Sequence, residues 1–253
     1  MVALVNQPLI FFIPGTSCDR TLWSKLWPVL NKLQGTENKY RLVHLTIKRS
    51  GSMKEVVEAL VLDIQQQASN QPFHLVGFSL GGYLASAVSL KFKAQLKSLI
   101  VLANTPKSLP VAELEQRKKI SSAIKRKGYK GLNRSRVLDF IDRRESENDE
   151  LIYSIQRMAS AFTQEEVLHH LVTLSGREDL CDLLLESQRP ICFCFGESDA
   201  LVDGARMREM QRHSQHIEVL VVASSGHFLP LEQPQDLAVN ILNWLENQSK
   251  NVK

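Results

Sequence analysis

Ser79 stands between two glycines in the stretch HLVGFSLGGYLAS, residues 74–86. The run before it, FHLVGF, is apolar and rich in strand formers, and the run after it, LGGYLASAVSLKF, has helical spacing. A strand that turns straight into a helix through Gly-x-Ser-x-Gly raises the serine hydroxyl clear of the backbone, where it can act as a nucleophile. The residues two before and two after such a serine must be small. Gly77 and Gly81 meet that need, and Gly82 lets the helix approach the sheet.

A serine hydroxyl attacks poorly unless a base takes its proton and an acid orients that base. FCFGESDALV (193–202) places Asp199 in the loop after a strand-like run, with Glu197 and Asp203 as substitutes. VLVVASSGHFLPLEQP (219–234) places His227 in the loop after another. His169 and His170 fall in a helical region, and His213 and His216 flank a helix end. His227 combines a preceding glycine with a strand-end loop. The chemistry also needs backbone donors aimed at a developing oxyanion. The amide of Leu80, next to the serine, is one. The second is expected from FIPGTSCD, where Gly15 permits a tight turn and Thr16 is the donor, with Ser17 as the substitute.

These residues are far apart in sequence, so a scaffold must bring them together. Strands are expected at 9–13, 41–46, 73–78, 98–103, 191–195 and 217–222. Between them, helical spacing appears at Leu22, Leu26, Val29, Leu30 and Leu33, at Met53, Val56, Val57, Leu60 and Ile64, and at Leu237, Ile241, Leu242 and Leu245. Strands alternating with helices imply a mostly parallel α/β sheet with helices on both faces. Ser79, Asp199 and His227 then all lie at strand carboxyl ends, which share one edge of such a sheet. Trp23 and Trp27 are expected to be packing residues. From 104 to 189 no strand pattern appears, so this stretch is expected to be a helical cap inserted into a core formed by 1–103 and 190–253.

With 253 residues, 43% of them hydrophobic and 23% charged, the chain has the composition of a globular protein with a sizeable core. The N-terminal stretch MVALVNQPLIFFIPG has neither a basic leader nor a long apolar segment, so neither a signal peptide nor a membrane span is expected. The cysteines at 18, 181, 192 and 194 do not form a disulfide framework. Cys192 and Cys194, two apart in ICFCF, point to one face of a strand as buried thiols. No metal site and no cofactor are expected, and a reducing, cytoplasmic setting fits the thiols. From Lys107 to Arg144 there are 12 Lys and Arg against 4 Asp and Glu, a net of +8 in a chain whose total is +4. Without interleaved aromatic residues this basic stretch does not suggest nucleic acid. It is either a solvated helix face or a landing site for an acidic partner.

The segments GFSLGGYLA, FGESDALV and GHFLPLEQP resemble those of the α/β-hydrolase superfamily, and the resemblance covers nearly the whole chain. It implies the α/β-hydrolase fold with Ser79 as nucleophile, Asp199 as acid and His227 as base. It also implies cleavage of a small-molecule carboxylic ester or thioester. Within the superfamily the chain is similar to small capped carboxylesterases, C–C hydrolases and enol-lactonases. FIPGTSCDRTLW and LSGREDL resemble a branch of bacterial esterase-like hydrolases. Two features depart from the pattern: Pro14-Gly15 stands where many relatives have His-Gly, and LTIKRSGSM replaces a loop of the form Asp-x-x-Gly-x-Gly. Halide- and epoxide-cleaving members carry aspartate at the position of Ser79. The architecture is also similar to the pimeloyl-carrier-protein methyl esterases of biotin synthesis, which dock their partner on a basic cap. That likeness implies an acidic acyl carrier protein at Lys118, Lys119, Lys125, Arg126 and Lys127. The alternatives are C–C hydrolysis, enol-lactone opening or a lyase reaction on the same three residues, or a non-catalytic binding protein on this fold.

Overall fold

Residues 7–37 and 39–250 are described by the computed structural model of the chain. The first six residues of the stretch read for a leader lie outside the described residues. Six strands, β1 (Leu9–Ile13), β2 (Arg41–His44), β3 (Phe73–Phe78), β4 (Leu96–Leu102), β5 (Ile191–Gly196) and β6 (Ile217–Val222), form one sheet. Their order is β2-β1-β3-β4-β5-β6, and every neighbouring pair is parallel. β2 is shorter than the run expected at 41–46, although the Leu45 amide still donates to the Phe12 carbonyl. β4 begins at Leu96 rather than 98, because a register shift lets Leu96 pair with Phe73. It ends where Ala103 turns to φ +51°.

Both faces of the sheet are covered, which is why its strands read as continuous apolar runs. Along β1, Leu9, Phe11 and Ile13 point into one core and Ile10 and Phe12 into the other. The first core is closed by α2 (Met53–Ala68), α3 (Leu80–Ser89) and α9 (Gly204–His213). The second is closed by α1 (Leu26–Leu33), α10 (Leu229–Glu232) and α11 (Pro234–Lys250). Trp23 is buried there, edge-on to Phe12, and Trp27 also packs on Phe12. Local signals agree with this arrangement: Ser52 and Glu55 form a capping box that starts α2 after the polar SGS turn. Cys192 and Cys194 face the second core while Ile191 and Phe193 face the first, as period-2 spacing requires.

Between β4 and β5 the described chain is helical: α4 (Val111–Lys127), α5 (Arg134–Leu138), α6 (Asp149–Ser160), α7 (Gln164–Leu171) and α8 (Cys181–Glu186). Leu180, Cys181 and Leu184 join the first core, so α8 packs on the sheet as the crossover into β5. Val137, Ile141, Leu151, Ile152, Ile155 and Met158 join the second core. Among the described residues no helix is long and apolar enough to cross a membrane.

Candidate active site

In an all-parallel sheet every carboxyl end lies at one edge, and the loops after β1, β3, β5 and β6 meet there. Ser79 sits at the apex between β3 and α3 with φ +52° and ψ −120°, a region that non-glycine residues rarely occupy. Its amide is held by the Leu102 carbonyl, and its carbonyl accepts from the Gly82 amide. The flanking glycines explain how the turn closes. A Cβ on Gly77 would collide with the carbonyl of Gly81, and a Cβ on Gly81 would collide with the carbonyls of Ile13 and Pro14. On Gly82 a Cβ would stand 2.9 Å from that of Asn104.

His227 Nε2 lies 3.1 Å from Ser79 Oγ, and His227 Nδ1 lies 2.9 Å from Asp199 Oδ2. The Asp199 side chain is fully buried and that of His227 nearly so. With Nδ1–H donating to the carboxylate, Nε2 is left as an acceptor for the serine hydroxyl. Asp199 Oδ1 also accepts from the Leu201 amide, which holds the carboxylate in place. The substitutes are occupied elsewhere. Glu197 meets Arg144, and Asp203 caps α9 and pairs with Lys107.

The loop after β1 makes a tight turn from Gly15 to Cys18, whose amide donates to the Gly15 carbonyl. Its left-handed residue is Ser17, at φ +53°. Gly15 is needed for close approach, since a Cβ there would meet the Phe78 ring at 2.9 Å and Ser79 Cβ at 3.0 Å. The Ser17 amide donates to Nδ1 of His170 at 3.3 Å. The neighbouring Thr16 amide makes no hydrogen bond among the described residues. Leu80 opens α3, where the first amides of a helix have no partner within it.

Several residues at the site were not singled out in the sequence. The segment after α5 lies across both loops: the His227 amide donates to the Phe140 carbonyl, and Ser198 Oγ donates to Asp142 Oδ2 at 2.6 Å. Arg144 binds Asp142 through Nε and Nη2 and reaches Ser224 Oγ through Nη1. The Arg144 guanidinium holds the buried Asp142 carboxyl well below the usual carboxylate range. In the sequence this stretch is part of a charge-rich run with no pattern to set it apart. His170 is buried and its pKa is lowered to about 4, chiefly by burial and then by His169.

Glu232, within the quoted GHFLPLEQP, is also buried. Its Oε2 accepts from the amides of Asp142 and Gly226, both at 2.8 Å, so it joins the inserted segment to the His227 loop. Its Oε1 has no partner among the described residues, and burial raises its pKa to about 7. An acid with a raised folded-state pKa binds more protons folded than unfolded between its two pKa values. Its contribution therefore opposes stability as pH rises from about 4.5 to about 7, by on the order of 3 kcal/mol over that window. The neutral histidines 74 and 170, held near 4, work in the opposite sense. The difference between Glu232→Gln and the unaltered protein isolates the carboxyl. Urea unfolding at pH 5 and pH 7 should show the glutamine variant gaining relative stability at the higher pH. A difference independent of pH would show that Glu232 does not titrate in this window.

The residue pattern and the fold agree with the comparisons to other proteins. The profile of a family described as alpha/beta hydrolase matches residues 10–240. The chain belongs to the alpha/beta hydrolase family. The biotin biosynthesis bifunctional protein BioHC of Teredinibacter turnerae is 21% identical over 266 aligned positions, covering 96% of this chain and 45% of that protein. The chain therefore spans less than half the length of this curated relative. A thermophilic esterase from Thermogutta terrifontis, solved with malate bound, superposes with a TM-score of 0.81 at 21% identity, covering 95% of this chain and 90% of that one. The enol-lactonase from Burkholderia xenovorans superposes with a TM-score of 0.74 at 11% identity, covering 95% and 92%. At these identities the structural likeness establishes the alpha/beta hydrolase fold.

Proposed function

We propose that this alpha/beta hydrolase is a serine esterase or thioesterase that works through an acyl-enzyme. Ser79 Oγ attacks the carbonyl carbon as His227 Nε2 takes the hydroxyl proton. Asp199 holds the imidazole and stabilises it once charged. The amides of Leu80 and Thr16 donate to the oxyanion of the tetrahedral intermediate. Collapse expels the alcohol or thiol, which receives the proton from His227, and a water molecule activated by the same imidazole releases the acid. The continuous chain of hydrogen bonds Ser79–His227–Asp199 carries this proposal. Its test is a fluorophosphonate probe, which should label the protein at Ser79 and leave Ser79→Ala unlabelled. An unlabelled Ser79 in folded protein would count against an activated nucleophile.

The substrate would be small, since Ser79 and His227 open into a cleft of about 260 Å³ lined on one side by the start of α4. Under this proposal the inserted helices other than α8 act as the cap. Glu113 and Arg117 of α4 line the cleft. Lys118, Lys119, Lys125, Arg126 and Lys127 are exposed and make no ion pair among the described residues. Most other cations of the basic stretch are paired, such as Arg134 with Asp149 and Arg136 with Asp139. We extend the proposal to an acidic acyl carrier protein that docks on this outer face and delivers an ester such as pimeloyl methyl ester. The biotin-related name of the Teredinibacter protein is consistent with that extension. The four free, buried cysteines suit the reducing, cytoplasmic setting it requires.

Steering of this kind is screened by salt, with a screening length of about 10 Å at 0.1 M and roughly 3 Å at 1 M. The rate on a carrier-bound acyl ester should fall, relative to that on p-nitrophenyl butyrate, as salt rises across this range. The triple change Lys118→Glu, Lys125→Glu, Arg126→Glu should lower the same ratio at low salt. A ratio that neither salt nor charge reversal alters would make the five residues a solvated helix face.

A further inference from the structure

The cleft beside Ser79 carries more cationic than anionic charge, and the excess resides at one residue. Of its charged lining residues, Lys107 pairs with Asp203, and Arg117 binds Glu113 through Nε and Nη2, at 2.9 and 2.8 Å. That leaves Arg177, which lines the cleft and has no carboxylate within ion-pair distance among the described residues. It belongs to the LSGREDL segment, for which the proposed acyl-enzyme chemistry has no use. Its position is fixed from behind. Nε donates to the Leu174 carbonyl at 3.1 Å, and the guanidinium lies over the Tyr83 ring, 5.1 Å from the centroid. The Tyr83 hydroxyl is itself held by the Glu178 amide. These contacts use one edge and one face of the guanidinium, and leave Nη1 and Nη2 without a protein partner among the described residues.

A planar pair of N–H donors that is already oriented and lacks a counter-charge suits bidentate recognition of a carboxylate. Preorganisation matters here, because the ordering of the side chain does not have to be supplied when the ligand binds. The surroundings point the same way: burial, followed by the charge of Arg117, pushes the pKa of Arg177 down to about 10 against the pull of Glu113. An anion in the cleft would relieve that strain. What sets Arg177 apart from the other ring-stacked arginines, Arg20, Arg136 and Arg208, is that it lines the same cleft as Ser79 and His227.

We propose that Arg177 anchors a carboxylate-binding subsite in the Ser79 cleft, so that the ester cleaved carries a free carboxylate away from the scissile bond. This specificity rests on the serine-esterase proposal for its chemistry, although binding of the carboxylate does not. It does not depend on carrier docking, because Arg177 lines the cleft while the α4 lysines are exposed outside it. It also calls for a different acyl group: a carrier-bound pimeloyl methyl ester has both carboxyls esterified and presents no free carboxylate to Arg177.

The test has a kinetic and a binding part. Mono-p-nitrophenyl esters of succinic, glutaric, adipic and pimelic acids are compared with p-nitrophenyl esters of monoacids of equal length. In parallel, 4-carboxyphenyl butyrate is compared with phenyl butyrate. The first set puts the carboxylate on the acyl side and the second on the leaving group. In at least one pair the charged ester should have about tenfold higher kcat/KM than its neutral counterpart, mainly through KM. That ratio should fall to about one in Arg177→Gln and be partly kept in Arg177→Lys, which also controls for folding. A ratio unaffected by Arg177→Gln in every pair overturns the subsite while Ser79-dependent hydrolysis still stands. For binding, glutarate should raise the Tm of Ser79→Ala protein, glutaramide should not, and Arg177→Gln should abolish the glutarate effect. Arg177-dependent glutarate binding without Ser79-dependent hydrolysis would keep the subsite and reject the esterase. Equal shifts with glutarate and glutaramide would overturn the subsite.

Discussion

Ser79→Ala should lower kcat/KM for p-nitrophenyl butyrate by about 10⁴-fold or more, with the protein still folded. The expectation follows from the role proposed for the hydroxyl. It is the atom facing His227 Nε2 at 3.1 Å, and without it neither imidazole nor carboxylate has a nucleophile to activate. Residues that act as one catalytic unit are lost together when the nucleophile goes. What remains comes from substrate binding and the oxyanion donors. The fold should survive, because Ser79 holds the turn through its backbone: its amide to Leu102 and its carbonyl to Gly82. Alanine keeps both bonds and must adopt the same positive φ. Stopped-flow and steady-state assays of the two proteins, with circular dichroism as the folding control, decide the matter. A folded variant retaining a tenth of the activity would reject Ser79 as nucleophile.

Gly77→Ala should lower Tm by about 6 °C or more, or prevent folded protein from accumulating, an overpacking effect of about 3 kcal/mol. The added methyl would collide with the Gly81 carbonyl and stand 2.7 Å from Ala85 Cβ. Neither neighbour can give way. Gly81 is itself pressed against the Ile13 and Pro14 carbonyls, and Ala85 is fully buried in α3. Relief would have to come from moving α3 off β3, which would also displace Ser79. Gly176 is the matched control, since a Cβ there meets nothing within 4 Å and its φ is −72°. Thermal unfolding of the two alanine variants should separate them clearly. Equal stability would mean that the elbow has more room than its geometry indicates.

How much of this was legible in the sequence depends on the range of each interaction. The strands were readable because a sheet buried on both faces writes itself as short continuous apolar runs, such as LIFFI and ICFCF. Their ends were less secure, since the register shift at Phe73 that extends β4 back to Leu96 depends on the partner strand. Ser79 could be found because its steric demand falls on residues two positions away, within reach of a local motif. That Asp199 and His227 could meet at Ser79, as their hydrogen bonds show, was legible because the loops at strand carboxyl ends share one edge. That follows from parallel topology and needs no side-chain detail.

Other features were settled only by packing between distant segments. Gly15 could be read as allowing a tight turn, but that Ser17 takes the left-handed conformation within it, that Phe78 and Ser79 leave no room for a Cβ on Gly15, and that His170 accepts from the Ser17 amide are set by distant segments. Asp142 lies 56 positions from Ser198 and Glu232 lies 90 from Asp142, separations at which no spacing rule operates. The same holds for charge. The sequence by itself determined that positive charge concentrates between Lys107 and Arg144, and that a serine, an acid and a base lie at strand ends. Only the tertiary structure decided which of those charges are paired and which are not. Among the described residues it leaves Arg177, outside the basic run, as the cation that lines the Ser79 cleft without a carboxylate partner. The physical reason is that composition adds charges along the chain, whereas pairing depends on distances of a few ångströms that the fold alone sets.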